Sequence, residues 1–251
     1  MRVVVVGASS GLGRCIAVGL GKRGERVALL ARRKDRLEDA AAEAGPGAVA
    51  VTCDVTDEES CRAAIAEAVR ELGGIDGLVY ATGIGPLVRL ADTDAETWRR
   101  TFDTNVIGAS LITAAALPHL AVSQGTAAYL SSISASHTPP WPGLGAYAVS
   151  KAALDKLVEA WRVEHPAVGF TRVVVGDCVG GEGDSATGFA EEWDMELAMG
   201  FHEKWTAHKY MNGGFVDVED LVSIVDSLLR HSGNVAMHSV TVAPRAPGTA
   251  S

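Results

Sequence analysis

The sequence predicts an α/β domain, a doubly wound parallel sheet with helices on both faces. Three observations carry that prediction. Short β-branched apolar runs alternate with runs of helical period along the chain, as strands buried on both faces and joined by crossover helices do. The first run, Arg2 to Val6, passes directly into Gly7-Ala-Ser-Ser-Gly11-Leu-Gly13 and then into a helical pattern. The 251 residues, 47% hydrophobic and 21% charged, suit one domain with a full core, spanning 1–251.

Each element follows from local chemistry. Arg2 to Val6 reads as a buried parallel strand. The glycine loop after it, at the N-terminus of a helix over Arg14 to Lys22, is the arrangement that receives a dinucleotide pyrophosphate. Gly7 allows the tight turn, Gly11 lets the backbone approach the phosphates, and Gly13 lets helix and strand pack; Ser9, Ser10 and Leu12 complete the loop. Arg26 to Ala31 is the second strand. A site for NAD would end it with a carboxylate to accept the ribose hydroxyls. Ala31 stands there, followed by Arg32, Arg33 and Lys34. Guanidinium groups bind a 2′-phosphate that a carboxylate would repel, so NADP(H) is expected over NAD(H), with Arg32 as the main contact. A solvated basic turn is the other reading.

Lys34 to Ala44 is a helix and Ala48 to Thr52 the third strand. Asp54, beside Val55, either accepts from an adenine amino group or caps a turn before the helix at Asp57 to Leu72. Ile75 to Tyr80 is the fourth strand and runs into Ala81, Thr82 and Gly83. One long helix is expected over Asp94 to Leu120. Asn105 lies within it, where asparagine is disfavoured. It either bonds back to the backbone and holds a bulge and a water, or is exposed. Thr126 to Leu130 is the fifth strand, ending in Ser131-Ser132-Ile133-Ser134 at the sheet edge where open α/β folds bind ligands. A stiff proline-rich loop, with His137 expected in solvent, leads to a helix over Ala146 to Glu164. That helix carries Tyr147 and Lys151 one turn apart on one face. An ammonium near a phenol lowers its pKa and equips it to pass a proton, although the same spacing also occurs by chance on ordinary helices.

Val168 to Val175 is the sixth strand, Asp217 to Arg230 the last helix and Ser239 to Val242 the last strand. Between them, residues 177–215 mix Gly, Asp and Glu with Phe189, Trp193, Met195, Met199, Phe201, Trp205, Tyr210 and Met211. So long a segment is expected to be a partly helical lid over an apolar substrate, or else an oligomer contact. Pro244 to Ser251 is expected to be a loose tail.

The composition excludes several classes. A net charge of -9 argues against a nucleic-acid or anionic-membrane surface. Cys15, Cys53, Cys61 and Cys178 form no CxxC pair and read as reduced thiols in a cytoplasmic protein, with no metal site. Met1 leads straight into a strand, so no signal peptide is expected, and no apolar run is expected to span a membrane.

Taken together, Gly7-x-x-x-Gly11-x-Gly13, Asp54, Gly83, Asn105-Val106, the Ser131-Ser132 strand end and Tyr147-x-x-x-Lys151 resemble the short-chain dehydrogenase/reductase family, in its compact single-domain branch. The resemblance covers nearly the whole chain. It implies a Rossmann-type sheet, a nicotinamide cofactor and a small-molecule carbonyl or alcohol substrate. Tyr147 would be the general acid or base. Lys151 would hold the nicotinamide ribose and lower the Tyr147 pKa. A serine would stabilise charge on the substrate oxygen, and Asn105 would hold a relay water. A homodimer or homotetramer is expected, from the family and from the alanine-rich face of the Asp94 to Leu120 helix.

Three departures stand out. The family's Asn-Asn-Ala-Gly is Tyr80-Ala81-Thr82-Gly83, so bracing there must differ. The family's serine-to-tyrosine spacing selects Ser134, whereas the strand end selects Ser132, which is preferred. The usual Pro-Gly after the sixth strand is Gly176-Asp177, leaving Val179 or Thr187 as guesses for carboxamide contacts. A catalytically idle NADP(H)-binding sensor or scaffold is the competing function. A dehydratase or epimerase fits less well, because it usually needs a longer C-terminal substrate domain.

Overall fold

The computed structural model describes residues 1–208, 210, 214–231 and 235–245. The expectations for Met211 and for the tail from 246 lie outside the described residues. Seven strands form one all-parallel sheet: β1 (Arg2–Val6), β2 (Arg26–Ala31), β3 (Ala48–Thr52), β4 (Gly77–Tyr80), β5 (Thr126–Ser132), β6 (Gly169–Val175) and β7 (Ser239–Val242). Their order is β3-β2-β1-β4-β5-β6-β7. The chain winds outward from β1 to β3, returns to pair β4 with β1, then winds the other way. The ends of β1 and β4 therefore flank the crevice where a doubly wound sheet opens.

The β-branched run of β1 is explained by its two faces. Val3 and Val5 join one core, with α1 (Gly11–Lys22), α2 (Lys34–Ala44) and α9 (Val218–Arg230). Val4 and Val6 join the other, with α3 (Glu58–Leu72), α5 (Gly108–Ser123) and α7 (Gly145–Glu164). All four valines are fully buried. The remaining helices are α4 (Ala95–Phe102), the single turn α6 (Ile133–Ser136) and α8 (Met195–Ala207).

Two expectations are corrected. The run expected as a regular helix from Asp94 to Leu120 is helical throughout Ala95–Ser123 but widens into a π-turn at Asp103–Ile107, which divides it into α4 and α5. Asn105 is fully buried there, so the exposed reading fails; the widened turn is a bulge, but the side chain bonds to Ile84 and Ser150 and not back to its own helix. The expectation that no run could span a membrane fails on length and hydropathy alone, because Ala95–Ser123 is long and apolar enough. Ile112, Ala116 and Leu120 of that run are fully buried against the sheet and form the one face by which it joins the core.

Candidate active site

The glycine loop is built as its spacing requires. Gly7 has φ +87°, and a Cβ on it would fall 2.8 Å from the Thr82 backbone nitrogen. A Cβ on Gly13 would lie 2.3 Å from the Gly7 carbonyl oxygen, so strand and helix can meet only over a bare Cα. Ser10 is the N-cap of α1, but its side chain makes no capping hydrogen bond. The first amides of a helix have no partner within it, which is what an anion site needs. The Thr82 hydroxyl is enclosed and lacks a partner among the described residues. Bare glycines, open helix amides and an orphan hydroxyl fit a dinucleotide. Leu12 and Ala81 pack against the core beside the loop, and the Ala81 amide donates to the Val6 carbonyl at 2.9 Å.

The two arginines take different partners. Arg33 reaches across to the loop, donating to the Ser10 hydroxyl at 2.7 Å and the Ser9 hydroxyl at 3.0 Å. Arg32 is exposed and lies within electrostatic reach of Asp54. The Asp54 carboxylate accepts from the Thr56 amide at 3.0 Å and its hydroxyl at 2.8 Å, which holds its pKa below the usual range. It thus caps the turn ahead of α3, whose own N-cap is Asp57. Val55 is buried and packs against Gly108.

Tyr80, in place of an asparagine, braces β4 through its ring. It is fully buried, and its hydroxyl donates to the Thr104 carbonyl in the π-turn at 2.5 Å. Asn105 then ties three segments together. Its Oδ1 accepts from the Ile84 amide at 2.9 Å. Its Nδ2 donates to the Ile84 carbonyl at 2.9 Å and to Ser150 Oγ on α7 at 2.8 Å. Ser150 was missed in the sequence, where nothing distinguishes it from any other helix serine.

Tyr147, Lys151, Ser132 and Asn105 converge beyond the ends of β4 and β5. The ammonium of Lys151 is buried, donates to the Leu130 carbonyl at 2.8 Å, and stands beside Gly83, where a Cβ would come within 3.2 Å of it. Burial pulls its pKa down to about 8, against an upward pull from Asp155. The strand continues to Ser132, which caps α6, while Ser134 lies inside that turn. The Ser132 hydroxyl is 2.9 Å from Ser134 Oγ and is the serine that draws the Tyr147 pKa down.

One expectation reverses here. Burial outweighs Ser132 and pushes the Tyr147 phenol up to about 12. Lys151 does not offset this, because its nitrogen is 5.8 Å from the ring centroid and is bonded to Leu130. Phe189 closes over the phenol edge-on, with centroids 4.9 Å apart.

Phe189 belongs to the 177–208 segment, which carries a small core of its own. Leu87, Leu144, Phe201 and Trp205 are buried together, with Trp141, Trp193 and Tyr210 against them. Trp193 donates to the Gly85 carbonyl at 2.8 Å and Trp205 to the Pro142 carbonyl at 2.9 Å. Met195 and Met199 face solvent, so of the apolar residues named in this segment these two do not turn inward. Thr187 lies against Gly11, whereas Val179 is exposed. His137 is exposed, as expected.

Comparison with known proteins places this geometry. The family model for short chain dehydrogenases matches residues 1–182. The chain is 31% identical over 246 residues to the glycine betaine reductase ATRR of Emericella nidulans, covering 96% of this chain and 18% of that protein. Over the first four such relatives, the chain covers between 18% and 58% of their length. Among solved structures, an alcohol dehydrogenase from Thermococcus sibiricus, complexed with 5-hydroxy-NADP, superposes with a TM-score of 0.78 at 25% identity, over 96% of this chain and 94% of that one. A 3-ketoacyl-(acyl-carrier-protein) reductase from Brucella melitensis, complexed with NADH, gives 0.80 at 24% identity, with 96% of both chains covered. The chain belongs to the short-chain dehydrogenase/reductase family of oxidoreductases.

Proposed function

We propose that the chain is an NADP(H)-dependent oxidoreductase that interconverts a carbonyl and a secondary alcohol. The observation that carries the reading is the convergence of Tyr147, Lys151, Ser132 and Asn105 beside the glycine loop. Bound nicotinamide supplies the hydride. Tyr147 donates a proton to the carbonyl oxygen in reduction, or accepts it in oxidation. Ser132 hydrogen-bonds the same oxygen and stabilises its developing charge, with Ser134 fixing the serine's orientation. Lys151 holds the nicotinamide ribose hydroxyls. Asn105 braces the 84 loop against α7 and lines the path by which Lys151 exchanges protons with solvent.

Gly7, Ser9, Ser10, Gly11, Leu12 and Gly13 bind the pyrophosphate, Asp54 and Val55 the adenine, and Ala81, Thr82 and Gly83 the ribose. Arg32 and Arg33 flank the 2′-phosphate position, Arg33 from the loop side and Arg32 from the Asp54 side. Residues 177–208 act as the lid, and its aromatic wall suits a bulky apolar or quaternary-ammonium group. A homodimer or homotetramer follows from the family and from the alanine-rich stretch of α5. Four free thiols suit a reducing, cytoplasmic compartment.

The test is titration with NADPH and NADH on wild type, Arg32→Ala and Arg33→Ala, followed by a carbonyl panel that includes apolar ketones and trimethylammonium aldehydes. Tighter NADPH binding, lost in the arginine variants, supports the cofactor assignment; equal NADH binding overturns it. Turnover that disappears in Tyr147→Phe while NADPH still binds supports the enzyme. Binding without turnover across the panel favours the idle sensor.

A further inference from the structure

The α7 face that carries Tyr147 and Lys151 continues one turn further to Asp155. Asp155 is only 5% exposed, and neither carboxylate oxygen has a hydrogen-bond partner among the described residues. Arg172 on β6 comes no closer than 3.8 Å and spends its shorter contact, 3.2 Å, on Glu159. Burial pushes the Asp155 pKa up, against the downward pull of Ser131 on β5, Arg172 and Lys151, and the Ser131 hydroxyl is itself enclosed without a hydrogen-bond partner among the described residues. The charged groups facing Asp155 are thus Lys151 and Glu159 on its own helix and Arg172 on β6. Those facing Lys151 are Tyr147 and Asp155.

A buried carboxylate without hydrogen bonds is costly, and so is a buried ammonium with one carbonyl partner. Each cost is reduced by the other charge. We infer that Asp155 is a positioning residue for Lys151, the buried carboxylate one turn along α7 whose charge, acting from beyond ion-pair distance, keeps the lysine ammonium charged where the Leu130 carbonyl holds it. Nothing in the glycine loop or in the Tyr147, Ser132 and Asn105 set supplies that charge. Asp155 touches no reacting atom and acts only through the lysine. The inference rests on reading Lys151 as the group that holds the nicotinamide ribose, but the pairing can be tested without turnover.

The experiment is a pH titration of protein labelled with 13C at the lysine ε-carbon, followed by NMR, with the Lys151 signal identified by its loss in Lys151→Met. In Asp155→Asn the Lys151 midpoint should fall by about one pH unit, a tenfold gain in acidity. Glu159→Gln should move it much less, and NADPH affinity at pH 8 should fall with the midpoint in Asp155→Asn. An unchanged midpoint in Asp155→Asn overturns the pairing. Thermal unfolding of wild type, Asp155→Asn, Lys151→Met and the double variant gives a second reading. Charge coupling predicts that the double variant loses less than the sum of the singles; additive losses overturn it. If both Asp155→Asn and the double variant fail to fold, Asp155 serves the fold and not the lysine, and the inference falls. Failure of wild type to bind NADPH would remove the functional reading, while the midpoint shift would still decide the pairing.

Discussion

Phe189 stands edge-on to Tyr147, ring centroids 4.9 Å apart at an interplanar angle of 67°. The proposed proton donor is therefore covered by a residue of the segment that would have to admit substrate. Phe189→Ala should uncover the phenol and bring its pKa down from about 12 towards 10, read by ultraviolet difference titration of wild type against Tyr147→Phe. The stability sign follows. With its folded pKa raised, Tyr147 contributes stability that is complete below pH 10 and is lost as pH rises towards 12. Phe189→Ala should shrink that loss. A tyrosine midpoint that does not move would mean that β5 and α7, not Phe189, shut the phenol in.

Lys151 has the opposite sign. Its folded pKa is lowered from 10.5 to about 8, so the native state gives up this proton first. From about pH 8 to 10.5 the unfolded chain binds more protons at this site, and the lysine's contribution to stability rises with pH. Comparing the pH dependence of Tm in wild type and Lys151→Met isolates it; the rise should be absent from the variant.

Asn105→Ala should be expensive for a single small side chain. It removes three hydrogen bonds and strands the Ile84 amide and carbonyl. At about 1 kcal/mol each, the loss is roughly 3 kcal/mol in urea unfolding. A loss below about 1 kcal/mol would mean that the 84 loop does not depend on this side chain.

Gly13→Ala and Gly200→Ala should part company. The first places a Cβ 2.3 Å from a backbone oxygen at the crossing of β1 and α1, and should abolish folding or cofactor binding. The second meets nothing within 4 Å inside α8 and should stabilise that helix by up to about 1 kcal/mol, measured by thermal unfolding.

Where periodicity governs, the sequence was readable. The parallel sheet follows from the two-faced apolar runs, and the glycine loop lies between β1 and α1, with Tyr147 and Lys151 on α7, where their motifs put them. Legibility ended where a side chain's direction is set by tertiary packing. Arg32 and Arg33 are adjacent in a turn, and only the path of β2 into α2 turns the second onto Ser9 and Ser10. Asp155 is a helix aspartate like many others until the sheet closes over it. The π-turn at Asp103 adds no residue that a helical pattern would flag. In the 177–208 segment, aromatics and methionines share one composition, yet only the aromatics turn inward.

The small core of that segment has a wider consequence. Leu87, Leu144, Phe201 and Trp205 pack with one another and belong to neither of the cores that hold the sheet. Sequence drift there leaves both sheet cores untouched and reaches the site at three points only among those described above, Phe189 on Tyr147, Trp193 on Gly85 and Thr187 on Gly11. A lineage that kept those three contacts would be free to remake the rest of the aromatic cover, and with it the substrate, without disturbing the layers that hold the sheet.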